Sequence, residues 1–207
     1  MKDTKQRILE IALELFARDG YEAVSTSQIA GELGITKGAL YKHYKNKRDI
    51  FDSIVKKMEQ RDGELAEENE VPTEDIPEAG DVAGEEDISK VEAFYKQVTS
   101  AQFLEYSKEM FLYWTEDEFA SNFRKMLTLE QYRDPEMSRL YQQYLGDGPR
   151  NYVKNIFDGM GYEDADMRAM AFYGTMFLGY SISDAAKDRN AVKLQIFSAM
   201  EKHLQQT

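Results

Sequence analysis

The chain contains no cysteine, which excludes disulfides, thiolate metal sites and cysteine nucleophiles and suits a reducing compartment. It has only two histidines, His43 and His203, so a transition metal would find almost no ligands. Long apolar runs are missing as well. The longest uncharged stretches, such as 169–183, are too short and too interrupted by glycine to span a bilayer. Met1-Lys2-Asp3-Thr4-Lys5 leads into an amphipathic pattern and not into the apolar core of a leader peptide. The expectation is a cytoplasmic protein with no membrane partner. Catalytic signatures are absent too. There is no G-x-S-x-G elbow, and no G-x-x-x-x-G-K-[ST] or G-x-G-x-x-G loop, Gly146-Asp147-Gly148-Pro149 being a turn. The carboxylates of 64–87 lack the alternation of a calcium loop. Neither an enzyme nor a bound cofactor is expected.

What is there begins with charge. The 207 residues carry a formal net charge of −12, which taken whole would repel nucleic acid. The charge is unevenly placed, however. Residues 1–57 hold 11 basic against 8 acidic side chains, a net +3, and the remainder carries −15. A small basic head is joined to a large acidic body. Between Glu59 and Asp87 there are 13 acidic residues and no aromatic, with Pro72, Pro77, Gly80 and Gly84 as punctuation. That composition predicts a flexible solvated connection, with an acidic tail that binds a partner as the other reading.

Helical periodicity dominates the rest. Ile8, Ala12, Leu15 and Phe16 mark one face of a helix over 4–19 that Gly20 stops. Ser25-x-x-Gln28 is a capping box opening a short helix that Gly34 ends, and Thr36 caps a third through Tyr44. Asn46 caps a fourth, with Ile50, Ile54 and Met58 four apart. Beyond the acidic stretch, helices are expected over 88–114, around 118–130, from Pro135 to about 145, from Gly148 to 157, from Asp164 or Asp166 to 186, and from Asn190 to 206. No strand pattern is evident. The fold class is all-α, with a three-helix N-terminal helix-turn-helix head, a C-terminal helical bundle and about nine helices. The expected domains are 1–47 for the head, 48–67 for a linking helix, 68–87 for the acidic connection and 88–207 for the body.

The segment from Ser25 to Tyr44 has the anatomy of a helix-turn-helix. Ile29, Ala30 and Leu33 face the packing side, Gly34 serves the turn, Ile35 plugs the corner and Leu40 anchors the second helix. The other face of that second helix shows Lys37, Gly38, Ala39, Tyr41, Lys42 and His43, with Lys45, Lys47 and Arg48 close behind. Small, polar and cationic side chains are what a major groove and its flanking phosphates require.

Gly20-Tyr21-Glu22-Ala23, Ile29-Ala30, Gly34-Ile35-Thr36-Lys37-Gly38-Ala39-Leu40-Tyr41, His43-Tyr44 and Lys47 together resemble the tetracycline-repressor (TetR) family of bacterial regulators over residues 5–58. The resemblance implies a DNA-binding head and a helical body that binds a ligand and dimerises. Carried onto this sequence, it places Lys37, Gly38 and Ala39 at the start of the recognition helix and Tyr41, His43 and Lys47 at positions that touch phosphates. Lys42 falls where a base is often read. Tyr44 replaces a commoner Phe, Ser25 is the expected cap, and Ser27 stands where many members carry Arg. With Thr26 and Thr36, these residues make up the expected DNA site.

The body is rich in aromatics, 19 of 25 lying between Phe94 and Tyr180. Most must be core, yet the thirteen tyrosines are many for a core that has to satisfy each buried hydroxyl. An aromatic and methionine cavity would suit a small apolar or amphipathic effector, and carboxylates beside it a lipophilic cation. Phe103, Tyr106, Met110, Tyr113, Phe123, Phe172 and Met176 are its candidate lining. Small residues within 167–186 suggest close helix contact. Gly174, Leu178 and Ser181, with Val192, Ile196 and Met200, are the candidate homodimer interface. His203 reads as a surface or interface residue. The combined expectation is a homodimeric regulator of transcription, in its commonest sense a repressor, that binds a palindromic operator in double-stranded DNA. A small molecule releases it; the alternative is a co-regulator whose body binds a protein.

Overall fold

The computed structural model describes residues 3–69, 93 and 95–205, and the expected acidic connection lies outside them from residue 70 on. Ten helices and no strand occur among the described residues: α1 (Thr4–Asp19), α2 (Thr26–Glu32), α3 (Lys37–Tyr41), α4 (Lys47–Glu68), α5 (Ser100–Glu116), α6 (Glu118–Glu130), α7 (Pro135–Leu145), α8 (Asp147–Gly159), α9 (Ala165–Ala185) and α10 (Arg189–Gln205). None of them is long and apolar enough to cross a membrane.

Most helix limits follow from local capping. Asp3 accepts from the Lys5 N–H at the start of α1, and Gly20, at φ +87°, ends it. Asn46 Oδ1 accepts from the Asp49 N–H at 2.8 Å to open α4. Asp117 caps α6, and Asp134 takes the Glu136 and Met137 N–H groups ahead of Pro135 in α7. Two starts differ from expectation. α5 begins at Ser100, where Thr99 and Gln102 cap each other. α10 is opened by Asp188 and not by Asn190, because the Ala191 N–H reaches Asp188 Oδ1 at 3.0 Å.

The chain divides into two compact units, and α4 runs through the division. The first comprises residues 1–64 together with 116–144. There α1 packs against α6 and against α2, and Phe16, Phe51, Ile8, Leu13, Ile29, Leu40 and Phe123 are fully buried. At the α1–α2 turn, the buried Glu130 carboxylate accepts from the Tyr21 N–H at 3.0 Å. Arg48, at the start of α4, forks onto Glu136 of α7 at 2.6 and 2.7 Å. The boundaries expected from sequence place 116–144 in the body instead.

The second unit comprises residues 65–115 and 145–207, with α9 packed on α8 and α10. Its centre is a cluster of rings: Phe103 lies 4.9 Å from Phe172 and 5.5 Å from Phe157. Phe111 stacks on Tyr180 at 5.6 Å. The buried Tyr173 hydroxyl is satisfied by donating to the Leu145 carbonyl at 2.8 Å. Gly179 allows this packing, since a Cβ there would lie 2.8 Å from Phe111 Cε2 and 2.9 Å from Ile196 Cδ1. Gly179→Val is expected to lower stability by about 1–3 kcal/mol through overpacking, measured as a drop in the urea midpoint.

Candidate nucleic-acid interface

The turn between α2 and α3 is built from short-range bonds. Ser25 accepts from the Gln28 N–H at 3.2 Å while Gln28 Oε1 accepts from the Ser25 N–H at 2.8 Å, the reciprocal box read from the sequence. Gly34, at φ +67°, makes the corner, and the Ile35 N–H reaches the Ala30 carbonyl at 3.0 Å. Thr36 Oγ1 then caps α3 through the Ala39 N–H at 3.1 Å. Ile29, Ala30 and Leu40 are buried beneath this turn.

These bonds leave one face of the head outward. Ser25, Ser27, Thr36, Lys37, Gly38, Tyr41, Lys42 and His43 are exposed, and Thr26 and Ala39 are half-buried. Tyr41 is 44% exposed, large for an aromatic. Its hydroxyl shares a 3.2 Å hydrogen bond with Thr26 Oγ1, and Lys37 Nζ lies 5.6 Å from its ring centre. The Thr26 bond and the neighbouring Lys37 charge hold the Tyr41 phenol below its ordinary value. α2 and α3 therefore present Thr26, Tyr41 and Lys37 as one polar, cationic patch.

Two expected DNA residues also have partners within the head. Tyr44 is buried, its hydroxyl donates to the Lys5 carbonyl at 3.2 Å, and burial pushes the phenol up to about 12. Lys47 Nζ donates to the Tyr21 and Glu22 carbonyls at 2.9 and 3.3 Å and lies 4.3 Å from the Tyr21 ring centre. Both tie the head together, because their partners in α1 and its following turn come from distant sequence. Lys45, outside the expected set, is an exposed cation next to this face. Its adjacency to His43 was the available signal.

In the body, Phe103, Phe172 and Met176 are buried together in the second unit, and Tyr106, Met110 and Tyr113 are half-buried there. Tyr106 lies edge-on to Tyr152 at 6.0 Å. Phe123 is apart from them, in the core of the first unit against Tyr144 at 5.2 Å. Gly174, Leu178 and Ser181 are exposed on α9, and Val192 is half-buried. Ile196 and Met200, by contrast, are buried within the chain. His203 is half-buried, with Nε2 3.1 Å from Thr175 Oγ1. A groove of about 720 Å³ between α1, α4 and α6 is lined by Glu10, Glu14, Lys57, Arg61, Glu64 and Glu118. Its ionic walls do not suit an apolar guest. No group of side chains among the described residues is arranged to hold a metal ion.

Residues 8–54 match the family described as bacterial regulatory proteins, tetR family. The chain is 42% identical over 64 residues to the HTH-type transcriptional regulator AcrR of Shigella flexneri, spanning 31% of this chain and 30% of that protein. It is 45% identical over 56 residues to an HTH-type transcriptional regulator of Staphylococcus aureus strain USA300, covering 27% and 30%. The chain thus matches about 30% of the length of these curated relatives.

Similarity of fold runs further. A TerR/AcrR-family regulator from Aquifex aeolicus superposes with a TM-score of 0.63 at 17% identity over 97% of this chain and 99% of that one. FadR from Bacillus subtilis in complex with stearoyl-CoA gives 0.60 at 17% identity over 98% of each chain. The SmeT–triclosan complex gives 0.58 at 17% identity over 98% and 90%. With a head built on the reciprocal Ser25–Gln28 cap, the Gly34 corner and an outward face from Lys37 to Lys42, the N-terminal segment 8–54 is similar to the TetR family of bacterial regulatory proteins, and the fold of the whole chain is similar to that of TetR-family regulators.

Proposed function

We propose that this protein is a ligand-responsive transcriptional repressor that binds a palindromic operator as a homodimer and is released by a small apolar or amphipathic molecule. The observation that carries this reading is the outward face of α3 and the residues directly after it, where Lys37, Gly38, Tyr41, Lys42 and His43 are exposed together on the basic end of an acidic chain. Two such helices would enter successive major grooves roughly 34–36 Å apart. The stearoyl-CoA and triclosan complexes of the fold neighbours support an amphipathic or apolar effector. Effector and operator would oppose one another because each favours a different arrangement of the same protein.

The dimer reading rests on α9, which carries Met167, Met170, Leu178 and Ile182 exposed on a single chain, with Gly174 and Ser181 among them and Leu194 exposed on α10. An apolar stripe of this kind is what an isologous helical interface covers. Leu178→Arg is expected to convert the dimer to a monomer in sedimentation at micromolar concentration and to reduce operator binding with it. A dimer unchanged by that substitution would move the interface elsewhere.

The function itself is tested by thermal melting of the full chain against a diverse compound panel, with and without its upstream intergenic DNA. A ligand at about 100 times its Kd adds about 2.7 kcal/mol. A compound that stabilises the protein and frees the DNA is the expected result. DNA binding that no compound alters would point instead to a protein partner for the body.

A further inference from the structure

Ile50, Ile54 and Met58 form the fully buried stripe of α4, and the next position in that spacing of four is Asp62. A carboxylate therefore stands where the pattern calls for an apolar side chain. Its Oδ1 is sealed from solvent and has no hydrogen-bond partner, the one such side-chain atom among the described residues. The residue as a whole nevertheless keeps some accessible surface.

The charged and titratable surroundings do not supply a partner. Arg61, the neighbouring cation, forks onto Asp117 at 3.0 and 2.7 Å. Burial, and after it the charges of Asp62 and of Glu59 on the same helix, drives the Tyr144 phenol of α7 upward. Arg139 of α7 is exposed and is the weakest of these influences on Tyr144. Burial pushes the Asp62 carboxyl up to about 7, with Arg61 opposing only in part. Buried acceptors in folded proteins nearly always have donors, so a carboxylate whose Oδ1 is sealed and orphaned describes a site whose donor arrives from outside.

We propose that Asp62 is the anchor of the effector site and that the effector is an amphipathic amine, its protonated nitrogen donating to Asp62 Oδ1. This rests on the effector-released reading above and narrows the class of effector. A protonated amine answers both needs of the site, donor and opposite charge, in one charge-assisted bond. An alcohol brings only the donor, a quaternary ammonium only the charge, and a carboxylate neither. Asp62 lies on the same helix that begins at Lys47, directly after the recognition segment.

The test titrates the full chain calorimetrically with n-octylamine, n-octanol and octanoate, in wild type and Asp62→Asn. At pH 8, octylamine is expected to bind wild type at least ten-fold more tightly than the other two and to lose that margin in the variant. At pH 6, titrations in two buffers of different ionisation enthalpy should read release of close to one proton per amine bound to wild type. That release should fall towards zero at pH 8 and be absent from Asp62→Asn, whose folding is checked by its thermal melt. Octanol or octanoate binding as tightly as the amine, or a margin that survives the substitution, overturns the assignment. If octanoate alone binds and also frees operator DNA, the effector-released reading stands and the amine falls. If no compound of this series or of the broader panel binds, both fall.

Discussion

Asp62→Asn is expected to make the protein more stable at pH 8, by roughly 4 kcal/mol. The expectation comes from a carboxyl raised from 3.8 to about 7 by burial. Below about pH 4 the group is protonated in both folded and unfolded chains and has no effect on their balance. Between about 4 and 7 the unfolded chain releases the proton while the folded chain retains it, so the Asp62 contribution to stability falls as pH rises. Above about 7 the folded chain holds an ionised carboxylate with Oδ1 unpaired, and the whole penalty is present. Asparagine keeps the shape and the polar atoms and removes the charge. The variant and wild type should therefore have similar unfolding free energies near pH 4 and diverge progressively up to about pH 8. Urea unfolding across that range reads the difference directly. Parallel curves at all pH values would show that Asp62 titrates normally.

Lys37→Ala and Lys42→Ala are each expected to weaken operator binding strongly without loss of fold. Both side chains are exposed, Lys37 at the start of α3 and Lys42 directly after its end, and neither the Leu40 anchor nor the Thr36 cap depends on them. A base-edge contact is worth about 1–3 kcal/mol. In the proposed dimer each substitution occurs twice, so about 2–6 kcal/mol is at stake, from about thirty-fold to about ten-thousand-fold or more in Kd. A lysine on a phosphate would instead weaken all sequences alike and flatten the salt dependence by about one unit per contact. Anisotropy titrations of operator and scrambled DNA at several salt concentrations separate the two roles. Lys47→Ala is the contrasting variant. Its ammonium donates to the Tyr21 and Glu22 carbonyls, so its loss should appear first as reduced stability. Operator affinity unchanged in both α3 variants would remove α3 as the recognition helix.

Tyr44 and Lys47, placed in the DNA site by the resemblance, show what sequence alone leaves open. Both have partners within the head, Lys5 and Tyr21, 39 and 26 residues away, and these partners come within reach only once α1 and its turn have packed. Ile196 and Met200 carry the same lesson. Apolar spacing identifies a buried face, but only the packing of α10 on α9 decides whether that face turns inward or meets a partner. Asp62 is the opposite case. The four-residue stripe Ile50, Ile54, Met58 runs straight into it, and the break in pattern is legible from spacing alone.

By itself the sequence determined the all-helical class, the helix-turn-helix and the limits of most helices. These depend on partners no more than four residues apart, such as Ser25 with Gln28, Thr36 with Ala39 and Asp134 with Met137. Only the tertiary structure decided that α6 and α7 join the head in one unit, tied by Glu130 at the Tyr21 N–H and Glu136 on Arg48. Those bonds span 109 and 88 residues. Local periodicity records which face of a helix is apolar, whereas the choice of partner is made by shape and charge across the folded chain.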